Sequence, residues 1–429
     1  MNGRWMLAAP ATLATLAALA AWAALPPLAA PAALAAWAAL PPLAAPAMLA
    51  ALATLPPLAA PATLAALATL PPLAAPAAAA RERWRVQYFY DPPDGSEFSV
   101  ASLAFPSAEC GLAAGELDGR GRTRPYAVST TDGGKTWAPA PVPDIAISLF
   151  FLNPRTGWLV GSKGLWRTDD FGQKWTRLKP APGALRVCFK DERRGWAVGE
   201  NKSVYETGDG GATWTPVAAA QSPPTAAAHT VYSAIAFGGP KVGLIVGWSK
   251  PPRAGDRGRE PAWVDPEGQP REWPGIGISI ETLDGGATWK ALSTSMFGQT
   301  TAVSLAPDGR GLLLVEFFGR FDYPAEVYRM DMHTGKSARA FRRKDSAVTD
   351  VLIPATGAAY LAAVEPPGTL FHSPVPGKLK LLKSDDLDHW TEMDVDYRAV
   401  ARRAFLAAPD AANVWAATDT GMILKLASE

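Results

Sequence analysis

The sequence predicts an all-β fold, a seven-bladed β-propeller of four-stranded antiparallel blades over residues 81–429, preceded by a low-complexity Ala/Leu/Pro segment over residues 1–80. Three observations carry this. An aromatic residue is followed by glycine six and ten residues later at Phe105/Gly111/Gly115, Phe151/Gly157/Gly161, Phe189/Gly195/Gly199 and Phe237/Gly243/Gly247. After each of these comes a turn of the form Thr-x-Asp-x-Gly that ends in Trp. The chain from residue 81 then divides into seven units of about 50 residues, within the range of propeller repeats.

Residues 1–80 hold no Lys, Asp or Glu and a single arginine, Arg4. Units ending in Pro-Pro repeat almost unchanged at 28–42, 43–57 and 58–72, and the proline pairs cut any helix to about ten residues, short of the ~20 a membrane span needs. Arg4 followed by the apolar run Trp5–Leu25 is expected to be an export signal or an uncleaved anchor. The competing reading is an in-frame translation of repetitive DNA with no targeting role. No cysteine is available here for a lipid anchor.

The clearest repeat runs from Leu185 to Val217. An apolar strand ends at Phe189, Gly195-Trp196-Ala197-Val198-Gly199 forms the second strand, and Ser203–Thr207 the third. The turn that follows recurs as Asp132/Gly134/Trp137, Asp170/Gly172/Trp175, Asp209/Gly211/Trp214 and Asp284/Gly286/Trp289, and in shortened form as Asp386 with Trp390. A short carboxylate accepts hydrogen bonds from its own turn and glycine supplies the positive φ that closes it, so these residues are expected to be structural. The Trp is expected to bury up to ~250 Å² between blades. A carboxylate required once per blade does turn chemistry rather than catalysis.

Weaker copies are expected at Leu305/Gly311/Val315, Val351/Gly357/Leu361 and Leu406/Ala412/Ala416, with a plain hairpin at Asp331–Gly335. The last unit lacks its outer strand, and Trp84 stands alone before the first full unit. The N-terminal strand is therefore expected to close the last blade and remove both open edges.

Arg4 apart, Lys plus Arg and Asp plus Glu number 40 each, so no basic excess points to nucleic acid or anionic membrane. Four scattered histidines give no metal-ligand spacing, and Cys110 and Cys188 fall at different repeat positions and should not pair. No cofactor or metal is expected, and the protein is expected to be a monomer.

In such a meander the first and third turns share one face, and the second turns and blade-to-blade connections share the other. Two surfaces follow as partner-binding candidates. Arg155, Arg193, Arg194, Lys241 and Arg310 recur in the first turns and are expected to form a basic arc near the axis, where the neighbouring acidic turns also offer local charge compensation. The second turn of blade four, Gly247–Thr282, is an insertion carrying Arg253, Arg257, Arg259, Trp263 and Trp273, a composition found at interface hot spots and also compatible with a solvated loop.

Phe189, Gly195, Trp196, Val198, Gly199, Thr207, Asp209, Gly210, Gly211, Thr213 and Trp214 together resemble the Asp-box (BNR) repeats of the photosystem II stability and assembly factor family. The resemblance spans nearly all of 81–429. It implies a non-enzymatic, exported, chaperone-like propeller that binds a protein or peptide, in that family a membrane-protein assembly intermediate. Asp-boxes also occur in sialidases, which is the enzymatic alternative. Those enzymes need three arginines, a Tyr/Glu pair and an early Arg-Ile-Pro; no Arg-Ile-Pro occurs here, and Tyr397 with Arg398 is only a fragment of such a site.

Overall fold

In the computed structural model, which describes residues 82–119, 121–252, 271–367 and 375–428, β1 (Glu82–Phe89) precedes the repeats. Blade one is β2 (Glu97–Ala104), β3 (Gly111–Gly119), β4 (Arg122–Thr130) and β5 (Ala138–Pro139). Blade two is β6 (Ala146–Phe151), β7 (Gly157–Gly161), β8 (Gly164–Thr168) and β9 (Thr176–Leu178), and blade three β10 (Ala184–Phe189), β11 (Gly195–Gly199), β12 (Val204–Thr207) and β13 (Thr215–Pro216). Blade four is β14 (Thr230–Phe237), β15 (Gly243–Ser249), β16 (Gly275–Thr282) and β17 (Lys290–Met296), and blade five β18 (Gln299–Leu305), β19 (Arg310–Glu316), β20 (Ala325–Asp331) and β21 (Lys336–Phe341). Blade six is β22 (Ala347–Leu352), β23 (Ala359–Val364), β24 (Gly377–Ser384) and β25 (Thr391–Glu392), with β26 (Val400–Ala401) added beside β24. Blade seven is β27 (Ala404–Asp410), β28 (Asn413–Thr418) and β29 (Met422–Ser428), completed by β1.

Each blade is an antiparallel sheet in chain order, and β1 closes the seventh with Trp84 opposite Leu426. Trp84 is buried, edge-on to Tyr360 of blade six at 6.3 Å. Among the described residues no helix is long and apolar enough to cross a membrane.

The glycine spacing has two separate causes. Phe189 lies flat over its partner Gly195, and Phe151 over Gly157, so a Cβ at either glycine would collide with the ring. The second glycine faces a β-bulge: Gly199 pairs with Ala184, the register then skips to Arg186, and a Cβ would meet the Gly183 carbonyl. The same skip occurs between Val100 and Ser102, Ala146 and Ser148, Tyr232 and Ala234, Thr300 and Ala302, and Val348 and Asp350.

Adjacent blades meet through aromatic rings. Trp158 of blade two stacks on Phe189 of blade three at 3.6 Å and 6°, and Trp415 of blade seven on Phe105 of blade one at 3.6 Å and 7°. Trp196 and Phe237 repeat the contact between blades three and four at 4.8 Å. These three tryptophans are fully buried, whereas Trp137, Trp175, Trp214 and Trp289 of the turns are only half-buried. The main inter-blade burial therefore belongs to the second strand.

Blades six and seven correct the alignment of the weak copies. Tyr360 pairs with Leu352 and Trp415 with Ala407, as Trp196 does with Cys188. Ile353 and Ala408 thus stand where Phe189 does, two residues after the expected starts at Val351 and Leu406. With no aromatic ring there, no glycine is needed beneath it, and Ala359 and Val414 take its place.

Candidate functional site

Backbone hydrogen bonds define the two faces. Third turns donate to first turns, Gly133 to Glu109, Phe171 to Arg155, Gly210 to Arg193 and Gly285 to Lys241, all within 3.0 Å. On the other face, second turns meet blade connections through Ser162 to Ile145, Glu200 to Gly183 and Asp419 to Arg403.

On the first face the aspartate turns are closed hydrogen-bond cages. In blade three the Gly211 N–H donates to Thr207 Oγ1 (3.0 Å), that hydroxyl donates to Asp209 Oδ1 (2.8 Å), and Asp209 also accepts from the Thr213 N–H (2.9 Å) and Oγ1 (2.6 Å). Gly211 has φ +95°, reached by glycine without strain. Gly134, Gly172 and Gly286 make the equivalent bond. The Thr side chains and backbone four residues on hold Asp132, Asp209 and Asp284 down to about 2. The Lys174 N–H does the same for Asp170 in direction. In the shorter blade-six turn, Leu387 takes the positive φ and His389 Nδ1 replaces the threonine hydroxyl on Asp386, 2.6 Å away. Trp175 and Trp214 donate to Pro141 O and Lys179 O of the preceding blade, while Trp390 packs edge-on to Phe341 of blade five at 6.3 Å.

The first-turn bases lie among these cages, and most are engaged. Arg194 donates to Gly286 O at 2.9 Å and lies 5.3 Å over Trp196; Arg193 reaches Gly208 O at 3.4 Å; Arg310 pairs with Asp308 at 2.7 Å. Among the described residues, Arg155 and Lys241 are exposed with no side-chain partner. Of the blade-four insertion, Arg253, Arg257, Arg259 and Trp263 lie outside the described residues, and Trp273 stands at its foot. Trp273 donates to Pro251 O (3.4 Å) beneath Lys250 Nζ, 4.2 Å from its ring. Lys250 pairs with buried Glu272, which accepts from the Gly319 N–H of blade five at 2.6 Å. This foot ties blade four to blade five.

The second-turn face has a different character. Phe297, Phe318, Val375 and Tyr397 are exposed on its loops, Phe89 and Val400 at the ends of β1 and β26, and Ile147 in its channel mouth. At its centre opens a cavity of about 640 Å³, the mouth of the axial channel. The bulge residues Ala101, Ile147, Leu185, Ser233 and Thr301 line it together with Arg186, Arg402, Arg403, Glu116, Glu316 and Asp419. Glu316 is buried and takes Arg403 through both oxygens, at 3.0 and 3.1 Å. Burial works against the Arg403 charge, but Glu316 outweighs it and raises the pKa. Arg186 points into the channel; enclosure by the walls lowers its pKa against the pull of Asp350. Enclosure likewise pushes Asp350 up to about 6, despite its bonds from the Leu406 and Val351 N–H groups. Three arginines thus line the mouth, and among the described residues no tyrosine does. Tyr397 is 83 % exposed, and Arg398 is spent on Asp396 at 2.7 Å.

The channel arginines went unrecognised in the sequence. The available signal was a lone charge in an apolar inner strand, Leu185-Arg186-Val187, and the Arg402-Arg403 pair heading Ala404-Phe405-Leu406.

Compared by sequence, the chain matches no protein-family model and no curated protein. Compared by structure, it is similar to YCF48 bound to D1 peptide, with TM-score 0.53 and 16% identity over 81% of this chain and 97% of the other. It is also similar to YCF48 from Cyanidioschyzon merolae, with TM-score 0.50 and 15% identity over 80% of this chain and 98% of the other. At these identities the likeness is one of fold.

Proposed function

We propose that this chain is a non-enzymatic propeller that binds a protein or peptide on its second-turn face, acting outside the cytoplasm as an assembly factor of the photosystem II stability/assembly type. The carrying observation is the asymmetry of the faces. Most of the exposed large apolar side chains lie on one face, with Ile147 and Phe318 in its open channel mouth, the arrangement of an interaction surface, while on the other face the aspartates and most of the bases are engaged in closing turns. The repeat motif and a similar fold solved with a bound peptide support the reading. The partner would be a segment of a membrane-protein assembly intermediate, and Met1–Pro27 the export signal or anchor.

The test is affinity capture with the full chain. Phe297→Ser with Phe318→Ser should lose the captured protein, while Arg155→Ala with Arg310→Ala should keep it. The reverse pattern moves the site to the basic arc. Turnover of a fluorogenic sialoside, abolished by Arg186→Ala, would overturn the non-enzymatic assignment, and recovery of the chain in the cytoplasmic fraction would overturn export.

A further inference from the structure

We infer that Arg186 and Arg402 form a carboxylate clamp at the channel mouth, and that the groove beside it takes the apolar neighbours of that carboxylate. The ligand is then an extended peptide with one acidic residue in an apolar stretch. This rests on the peptide-binding reading above and specifies its ligand.

Each of the two guanidinium groups is held by its own chain through Nε, Arg186 to Ser233 O at 2.9 Å and Arg402 to Asp419 Oδ2 at 2.9 Å. Arg402 is further fixed by its backbone N–H on Asp419 Oδ1, also 2.9 Å. Among the described residues the Nη atoms of both arginines have no acceptor, so two oriented forks face the same cavity with donors to spare. Arg403 is excluded because Glu316 and Thr349 O occupy its terminal nitrogens.

Arg402 lines a second, smaller cavity of about 180 Å³ between blades five, six and seven, walled by Pro324, Val348, Val364, Pro366 and Val375. The two cavities share Glu316, Arg402 and Arg403 as walls, so they adjoin on the Arg402 side of the clamp. A chain whose carboxylate sits on the forks can therefore lay its next residues against apolar walls. Glu116 on the blade-one wall, with Glu316 and Asp350 below, opposes a second anion. That selects one acid rather than an acidic run.

The test is selection of a random displayed decapeptide library on the immobilised full chain, followed by fluorescence polarisation of synthetic winners. Enriched peptides should carry one Asp or Glu flanked by apolar residues. Replacing that residue by Gln or Asn in the peptide should weaken binding about ten-fold, as should R186Q or R402Q in a protein whose melting is unchanged. An octaglutamate control should not compete. The peptide substitution needs no protein variant, so the result stands even where R402Q misfolds. Enrichment of nothing overturns peptide binding itself. Enriched peptides that lack the acid, or that keep full affinity after its replacement, overturn only the clamp.

Discussion

The two faces of the ring use carboxylates in opposite ways. On the aspartate-turn face Asp209 and Asp284 are exposed and Asp132 half-buried, yet all three are saturated by hydrogen bonds to their charged forms, which holds them down to about 2. In the channel, enclosure outweighs two backbone donors and raises Asp350 to about 6. Exposure alone therefore says little about what a carboxylate does. Saturation marks the face that holds blades together, and partly satisfied charge marks the region open to a ligand.

The largest blow to this division is expected from Trp196→Ala. Trp196 is fully buried between Phe237 and Trp289, and its removal should cost about 3–5 kcal/mol in urea unfolding. Thr207→Val should cost about 1–3 kcal/mol, since the buried Gly211 N–H loses its acceptor, while peptide affinity of the folded fraction stays unchanged. Phe318→Ser should do the reverse, costing about 1 kcal/mol of stability for a half-exposed ring and reducing binding. Were Thr207→Val to weaken binding at unchanged fold, or Phe318→Ser to unfold the ring, the assignment of stability to one face and recognition to the other would break.

Acid sharpens the contrast more gently. For the turn aspartates the folded pKa lies below the unfolded value of about 3.8, so their contribution is complete above that pH and is lost as pH falls toward 2. Asp350 has the opposite sign. Its folded pKa is raised, so stability declines as pH rises from about 4 through 6. Asp350→Asn should flatten the second window and leave the first intact, as read from urea midpoints across pH.

The blade number, the closing strand and the aspartate turns were legible because each is a local pattern repeated along the chain. The alignment slipped in blades six and seven where Ile353 and Ala408 replace the ring that demands a glycine. The clamp was invisible for another reason: Arg186 and Arg402 line one cavity only because seven blades close a circle, and the bulge at Leu185 sets how Arg186 faces the axis, while Arg402 lies ahead of β27. Neither fact is written in the spacing around either arginine. The first-turn bases were legible as a series, but Arg194 and Arg310 prove to be bonded to Gly286 and Asp308.

Strand β1 also sets an order of events during synthesis. Glu82 is among the earliest ring residues to leave the ribosome, and its partner Ser428 is among the last. Among the described residues this is the longest-range strand pairing, so it carries the greatest loop-closure entropy and must wait until β29 has been made. Until then a nascent chain presents an unmatched strand at its leading end and a growing row of blades behind it, both able to pair with the wrong neighbour. Deletion of Met422–Ser428 would remove β29 and leave blade seven with no third strand for β1 to join, so loss of so short a segment should leave the ring open.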